Sequence, residues 1–212
     1  MKIGRIHLWS VVAALITVPV LANCALLGRS EPVTLFQFGD ANDLSLEPPS
    51  SVQQQRVVII YAGSTFNRQS SGDRILTSTG NKAAYIAGAR WAAPAQELFD
   101  TMAVRDIEAR SPHISVVRAG APSKAQFMLA VDVRRFEVLY SADPKAASEV
   151  AVDTQAKLMR IADRTIVGDW PIRLRRPVPE NKVSAIVAAF DRIASEVSDQ
   201  IALNVATAAA AH

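Results

Sequence analysis

Hydrophobic and polar positions change period several times along the chain, and each change predicts an element. Val33–Phe38 alternates and is rich in β-formers, so it predicts a first strand. The polar stretch Gly39–Gln55, with Glu47-Pro48-Pro49-Ser50-Ser51, predicts an irregular connection. Arg56–Tyr61 holds the unbroken run Val57-Val58-Ile59-Ile60, the pattern of a strand buried on both faces. Gly63–Asp73 reads as a loop. Arg74–Ser78 and Ala83–Ala87, separated by Thr79-Gly80-Asn81, read as a hairpin. Pro94 suits the first position of a helix running to Ala109, in which Leu98, Phe99 and Met102 recur at helical spacing.

Beyond that helix, Ile114–Val117 predicts a short strand and Gly120–Lys124 a turn. Phe127–Tyr140 alternates Phe127, Leu129, Val131 and Val133 with Asp132 and Arg134, which predicts a long strand with one wet face. Glu149–Asp163 has the same period and Thr165–Ile172 follows across the tight Asp163-Arg164 connection, giving an antiparallel meander. The last element is helical. Val183, Ile186, Val187, Phe190, Ile193, Ala194, Val197, Ile201 and Val205 keep helical spacing, with Asn181 as cap after Pro177-Val178-Pro179 and fraying expected over Thr207–His212. The expected fold is α+β, a mostly antiparallel sheet with two principal helices packed on it, in a single domain over residues 33–206.

The first residues follow a different logic. Lys2 and Arg5 precede the run Leu8–Leu21, which is shorter than the ~20 apolar residues a spanning helix needs and suits the core of a cleaved signal peptide over residues 1–23. Leu21-Ala22-Asn23-Cys24 resembles the lipobox of bacterial lipoproteins, with Asn23 where that pattern prefers Gly, Ala or Ser. The resemblance implies cleavage before Cys24 and acylation of its thiol and amine. Cys24 is the only cysteine, so no internal disulfide competes for it. One acyl chain binds a membrane marginally and two or more hold firmly, so the three chains of such a lipoprotein form a permanent anchor. Residues 24–32 would be the anchor and tether, and Ala25–Pro32 reaches at most about 28 Å. Ala25, in place of the Asp that commonly retains lipoproteins in the inner membrane, implies the outer membrane of a Gram-negative bacterium, facing the periplasm.

Charge and composition narrow the function. The formal charge of +3 includes Lys2 and Arg5, so the mature chain is close to neutral and the basic pI gives no argument for nucleic acid. His7 lies in the signal and His212 is terminal, which leaves His113 alone to serve a folded site. No zinc-spaced Cys/His cluster, glycine-rich phosphate loop, G-x-S-x-G elbow or H-E-x-x-H helix is present in the sequence, so neither metal nor cofactor is expected and the chain reads as a non-enzyme. Five residues remain as candidate contacts for a partner or lipid. Trp91 and Pro94 stand at a helix start, where the alternative is a tryptophan sealing helix against sheet. Arg134, Arg135 and Arg173 could meet phosphate headgroups by bidentate hydrogen bonds, or be solvated strand faces.

Several segments together resemble one family. Asp73-Arg74-Ile75-Leu76, then Ala84-Tyr85-Ile86-Ala87-Gly88-Ala89-Arg90-Trp91-Ala92 before Pro94, Asp132-Val133-Arg134-Arg135-Phe136-Glu137 and Ala188-Ala189-Phe190-Asp191 are similar to the ABC-type transport auxiliary lipoprotein family. Its best-known relatives serve MCE-type phospholipid transport. The resemblance implies an accessory anchored in the outer membrane that aligns or receives a periplasmic, lipid-carrying MCE protein. ATP hydrolysis and the pore would belong to separate ATPase and permease subunits, outer-membrane lipid would be a further partner, and a homo-oligomer stays open. The family's closing tryptophan after the last helix is absent here. The rival reading is an envelope lipoprotein that regulates a cell-wall enzyme or has a structural role, and a hydrolase ranks third.

Overall fold

The computed structural model describes residues 32–39, 56–121, 123–143 and 146–212. Cys24, the signal segment and most of the tether lie outside these residues. Val33–His212 forms one compact unit. Its elements are β1 (Thr34–Phe36), β2 (Val57–Phe66), β3 (Arg74–Thr79), β4 (Lys82–Trp91), α1 (Ala95–Arg110), β5 (Ile114–Arg118), β6 (Phe127–Tyr140), β7 (Glu149–Arg160), β8 (Ile166–Pro177) and α2 (Val183–Ala211).

Among the described residues these strands make one eight-stranded sheet, and the expectation of a mostly antiparallel sheet is corrected. It is mixed, and parallel pairings are the majority: β1 with β4, β2 with β5, β2 with β6 and β3 with β6 run parallel. Only the hairpin β3–β4 and the meander β6–β7–β8 are antiparallel. The long strand β6 is the pivot. One of its edges pairs with β7 along nearly its whole length, while β2 and β3 share the other edge end to end. The return from β4 to β5, which lie toward opposite ends of the strand order β1-β4-β3-β6-β2-β5, needs a long connection, and α1 supplies it.

Both helices cover one face. Phe136 of β6 meets Phe190 of α2 at 4.8 Å and Phe66 of β2 at 5.6 Å, and Phe66 in turn meets Phe99 of α1 at 5.7 Å. The alternating set Phe127, Leu129, Val131 and Val133 is buried as predicted from its period of two. Beyond Val133 the register slips by one at Arg134, so the buried set resumes at Phe136 and Val138. The stripe Ile186, Phe190, Ile193, Val197, Ile201 and Val205 on α2 is buried against the sheet and α1.

Several boundaries differ from the sequence reading. β2 runs on to Phe66, into the expected loop, and β4 runs on to Trp91. β7 ends at Arg160 and β8 reaches Pro177. α2 continues through Ala211, past Thr207, where fraying was expected. Its cap position is Lys182, whose side chain has no acceptor to offer, and Asn181 Oδ1 accepts from the Tyr140 hydroxyl at 2.8 Å instead.

Candidate functional site

The sequence candidates divide between the core and the exposed sheet face. Trp91 is in the core. It is 2% exposed, with Phe38 edge-on at 5.0 Å and Phe190 edge-on at 5.2 Å. The local backbone explains how it gets there. Between Leu76↔Tyr85 and Arg74↔Arg90 the strand β4 carries extra residues opposite Ile75, and Gly88 at φ +67 takes the turn that other residues resist. This bulge swings Trp91 inward. Its burial favours the alternative reading of Trp91, a tryptophan that seals helix against sheet. Pro94 is exposed, and it stands at the cap position, so α1 begins one residue later than predicted. The first N–H groups of α1 are met by loop carbonyls, Ala95 donating to Gly72 at 3.0 Å and Gln96 to Ser71 at 3.4 Å.

The arginines meet on the uncovered face. Arg135, Asp153 and Arg173 occupy one cross-strand row over β6, β7 and β8. Asp153 accepts two hydrogen bonds from Arg175, at 2.6 and 3.2 Å, and lies 3.6 Å from Arg135, which also pairs with Glu137 at 3.2 Å. The Asp153 carboxylate raises the Arg175 pKa further above its already high range. Arg134, on the bulge, donates to Asp132 at 2.9 Å, and Thr65 donates to the same carboxylate at 3.1 Å. The Arg134 hydrogen bond, first among several causes, lowers the Asp132 pKa. Four arginines therefore face three carboxylates. Arg173 is exposed and, among the described residues, makes no ion pair, so it alone could bind an added anion without breaking one. Beside this row a hollow of about 310 Å³ is lined by Gln69, Ser78, Lys82, Arg135, Glu137 and Tyr140 among others.

A second polar cluster escaped the sequence reading. On α1, Asp100 Oδ1 accepts from the Tyr61 hydroxyl at 2.7 Å, the Ser64 hydroxyl at 2.6 Å and the Ser64 amide at 3.0 Å. The pairing of β2 with β6 slips between Tyr61 and Ser64, with Gly63 at φ +87, and this leaves the Ser64 amide facing the helix and not the ladder. Asp100 answers that orphan donor. Burial, then the nearby Asp100 charge, pushes the Tyr61 phenol well above its ordinary pKa, so it stays a donor. The sequence gives little sign of this, because the bulge that calls for Asp100 has no signature beyond Ala62-Gly63. Among the described residues no group of three or more His, Cys, Asp or Glu side chains is placed to hold a metal ion. No helix of the described residues is long and apolar enough to cross a membrane.

Comparison with known proteins agrees with this architecture. The solved structure of a Xanthomonas campestris protein superposes with a TM-score of 0.62 at 22% identity, covering 85% of this chain and 95% of that one. An uncharacterised protein superposes at 0.63 with 14% identity, over 82% of this chain and 99% of that one. A hypothetical protein of Chlamydia trachomatis does so at 0.51 with 8% identity, over 74% and 99%. At these identities the likeness is one of fold. No curated protein matches the sequence. The model of the ABC-type transport auxiliary lipoprotein component matches residues 66–202, from the end of β2 into the last turns of α2. Spanning more than half of the chain, and both the hairpin and the meander that frame Trp91 and the arginine row, that match makes this chain a member of the ABC-type transport auxiliary lipoprotein family.

Proposed function

We propose that this lipoprotein is a non-catalytic subunit anchored through Cys24 in the outer membrane, where it aligns or receives the periplasmic lipid-carrying protein of an MCE-type ABC system. The family match over residues 66–202 carries the reading, since an auxiliary component of ABC transport needs an engine supplied by other subunits. The Leu21-Ala22-Asn23-Cys24 sequence supports the anchor and Ala25 the outer membrane. Physical chemistry supports a scaffolding role: Asp100 is occupied in tying α1 to the β2 bulge, and Asp132 and Asp153 are occupied by arginines. On this reading the uncovered face of β6–β8 meets the partner, with Arg173 offering a guanidinium to a phosphate or carboxylate.

The test is affinity purification of the tagged full-length chain from detergent-solubilised envelopes, with Cys24→Ala as control and palmitate labelling of both. Recovery of an MCE protein with its permease and ATPase, together with label dependent on Cys24, is the expected result. Recovery of cell-wall enzymes alone favours the envelope-regulator reading. Unlabelled native protein refutes the anchor. Undiminished lipid recovery with the complex after replacing Arg134, Arg135 and Arg173 refutes the headgroup role.

A further inference from the structure

The cluster around Asp100 leaves half of its carboxylate unused. Oδ1 takes all three hydrogen bonds, from the Tyr61 hydroxyl and from the hydroxyl and amide of Ser64, whereas Oδ2 has no hydrogen-bond partner among the described residues. Asp100 is half-buried, and a sheltered carboxylate oxygen ordinarily finds a donor. Oδ2 faces the β2 bulge: a Cβ added at Gly63 would lie 3.7 Å from it, so it borders the space that the missing side chain leaves open. Gly63 and Asp100 line a hollow of about 170 Å³ together with Ala62, Val104, Arg118 and Ala119. The hollow lies at the carboxyl end of β5, the end of parallel strands at which α/β sheets bind ligands.

Register explains why Arg118 is there. Tyr61 and Arg118 are partners in the parallel pair β2–β5, and the Ala119 amide donates to the Tyr61 carbonyl at 3.3 Å. Partners in a parallel pair point to the same face, so Arg118 leaves the sheet on the side where Tyr61 meets α1. Its side chain is exposed and, among the described residues, makes no ion pair. A guanidinium and an unengaged carboxylate oxygen therefore border one hollow without meeting.

We infer that this hollow binds a small zwitterion, its primary ammonium on Asp100 Oδ2 and its oxyanion on Arg118. The class follows from what each side of the hollow lacks. Oδ2 lacks a donor, and a primary ammonium brings three N–H groups with the compensating charge. Arg118 lacks an acceptor, and a phosphate or carboxylate fits its planar fork. A simple cation leaves Arg118 unmet, a simple anion sits beside the Asp100 charge, and a quaternary ammonium has no N–H to give. The remaining lining, Ala62, Val104 and Ala119, carries no charge. Its volume suits a molecule of the size of aminoethyl phosphate, which occurs both free and as a lipid headgroup. The site rests on neither the anchor nor the transport reading.

Isothermal titration calorimetry on the full-length chain in non-ionic detergent tests this, with aminoethyl phosphate and β-alanine as zwitterions and ethanolamine and ethyl phosphate as half-molecules. Saturable binding of at least one zwitterion is expected, with each half-molecule about tenfold weaker or more, since each lacks one charge-assisted contact. Arg118→Gln, on an exposed side chain, should weaken the zwitterion about tenfold and leave Tm unchanged. Asp100→Asn, which keeps an acceptor for Tyr61 and Ser64, should weaken it by a similar factor, and Ala62→Phe, exposed at the hollow, should block it. A short-chain phosphatidylethanolamine, with its phosphatidylcholine counterpart as control, separates the two sources. Binding of the ethanolamine lipid as tightly as aminoethyl phosphate assigns a headgroup, and its failure where aminoethyl phosphate binds assigns a free solute. No saturable binding of either zwitterion, or a half-molecule binding as tightly as the whole, would overturn the inference. So would undiminished binding by Arg118→Gln, which, together with a lowered Tm, would mean that Arg118 closes on Asp100 itself.

Discussion

Replacing Trp91 with alanine tests the placement of the core most directly. The indole is 2% exposed and makes edge-on contacts with Phe38 and Phe190, while Phe136 lies at 6.3 Å. Truncating a buried Trp to Ala costs about 3–5 kcal/mol, the spread depending on how far the site collapses. Collapse is hindered here, because the three phenylalanines come from the segment after β1, from β6 and from α2, which cannot all move inward together. The upper half of that range is therefore expected. For a domain of this size each kcal/mol lowers Tm by about 2–4 °C, so the loss should be roughly 8–20 °C. Trp91→Phe keeps a ring between Phe38 and Phe190 and should lose well under half as much. Thermal unfolding followed by circular dichroism measures both. A Trp91→Ala melt within about 2 °C of the native chain, particularly with partner recovery lost, would refute the core placement and return Trp91 to the surface.

Asp100→Ala should destabilise by about 2–4 kcal/mol in urea unfolding, because it orphans the Ser64 amide and the buried Tyr61 hydroxyl, and Asp100→Asn should lose less since its carbonyl still accepts. Tyr61 has a folded pKa raised above its unfolded value of about 10, so its contribution is whole below pH ~10 and is lost as pH rises beyond it. Stability of the native chain should fall above that pH more steeply than that of Tyr61→Phe, as alkaline denaturant titrations would show; parallel curves would refute the assignment. Asp132 behaves oppositely. Its folded pKa is depressed below about 3.9, so its stabilisation is present above that value and disappears as pH falls through the lower folded value, and Asp132→Asn or Arg134→Gln should flatten the acid limb of a stability–pH profile.

What the sequence disclosed and what it hid follow from the range of each interaction. β6 was legible to the residue at both ends, Phe127 and Tyr140, because alternation over fourteen positions is a local signal. The stripe on α2 was legible for the same reason. Parallel pairing was not, since nothing in β2 names β5 and β6 as neighbours. The run Val57-Val58-Ile59-Ile60 did carry a clue, because strands of parallel sheets tend to continuous apolar character. Trp91 lay at the end of an element whose extension past Ala87 depends on a glycine at positive φ, and a glycine in a strand pattern announces a bulge without saying which way the next side chains turn.

The polar residues divide along the same line. Arg134, Arg135 and Arg173 were found by composition, and the register brings two of them into one row, yet composition could not show that Asp132, Glu137 and Asp153 already engage all but Arg173 of that group. Asp100 was missed because its role is assigned by a backbone defect in β2, thirty-six residues earlier in the chain. Both cases have one physical cause. A side chain's chemistry is fixed by its type, but whether it is free to act depends on which donors and acceptors the fold leaves unpaired, and bulges decide that. In this protein the register slips at Tyr61–Ser64, Tyr85–Arg90 and Val133–Arg135, and they set, respectively, the Asp100 cluster, the burial of Trp91 and the exposure of Arg134. A partner surface for this fold is therefore best sought among side chains that the bulges leave unengaged, and on the uncovered face of β6–β8 that is Arg173, which among the described residues makes no ion pair.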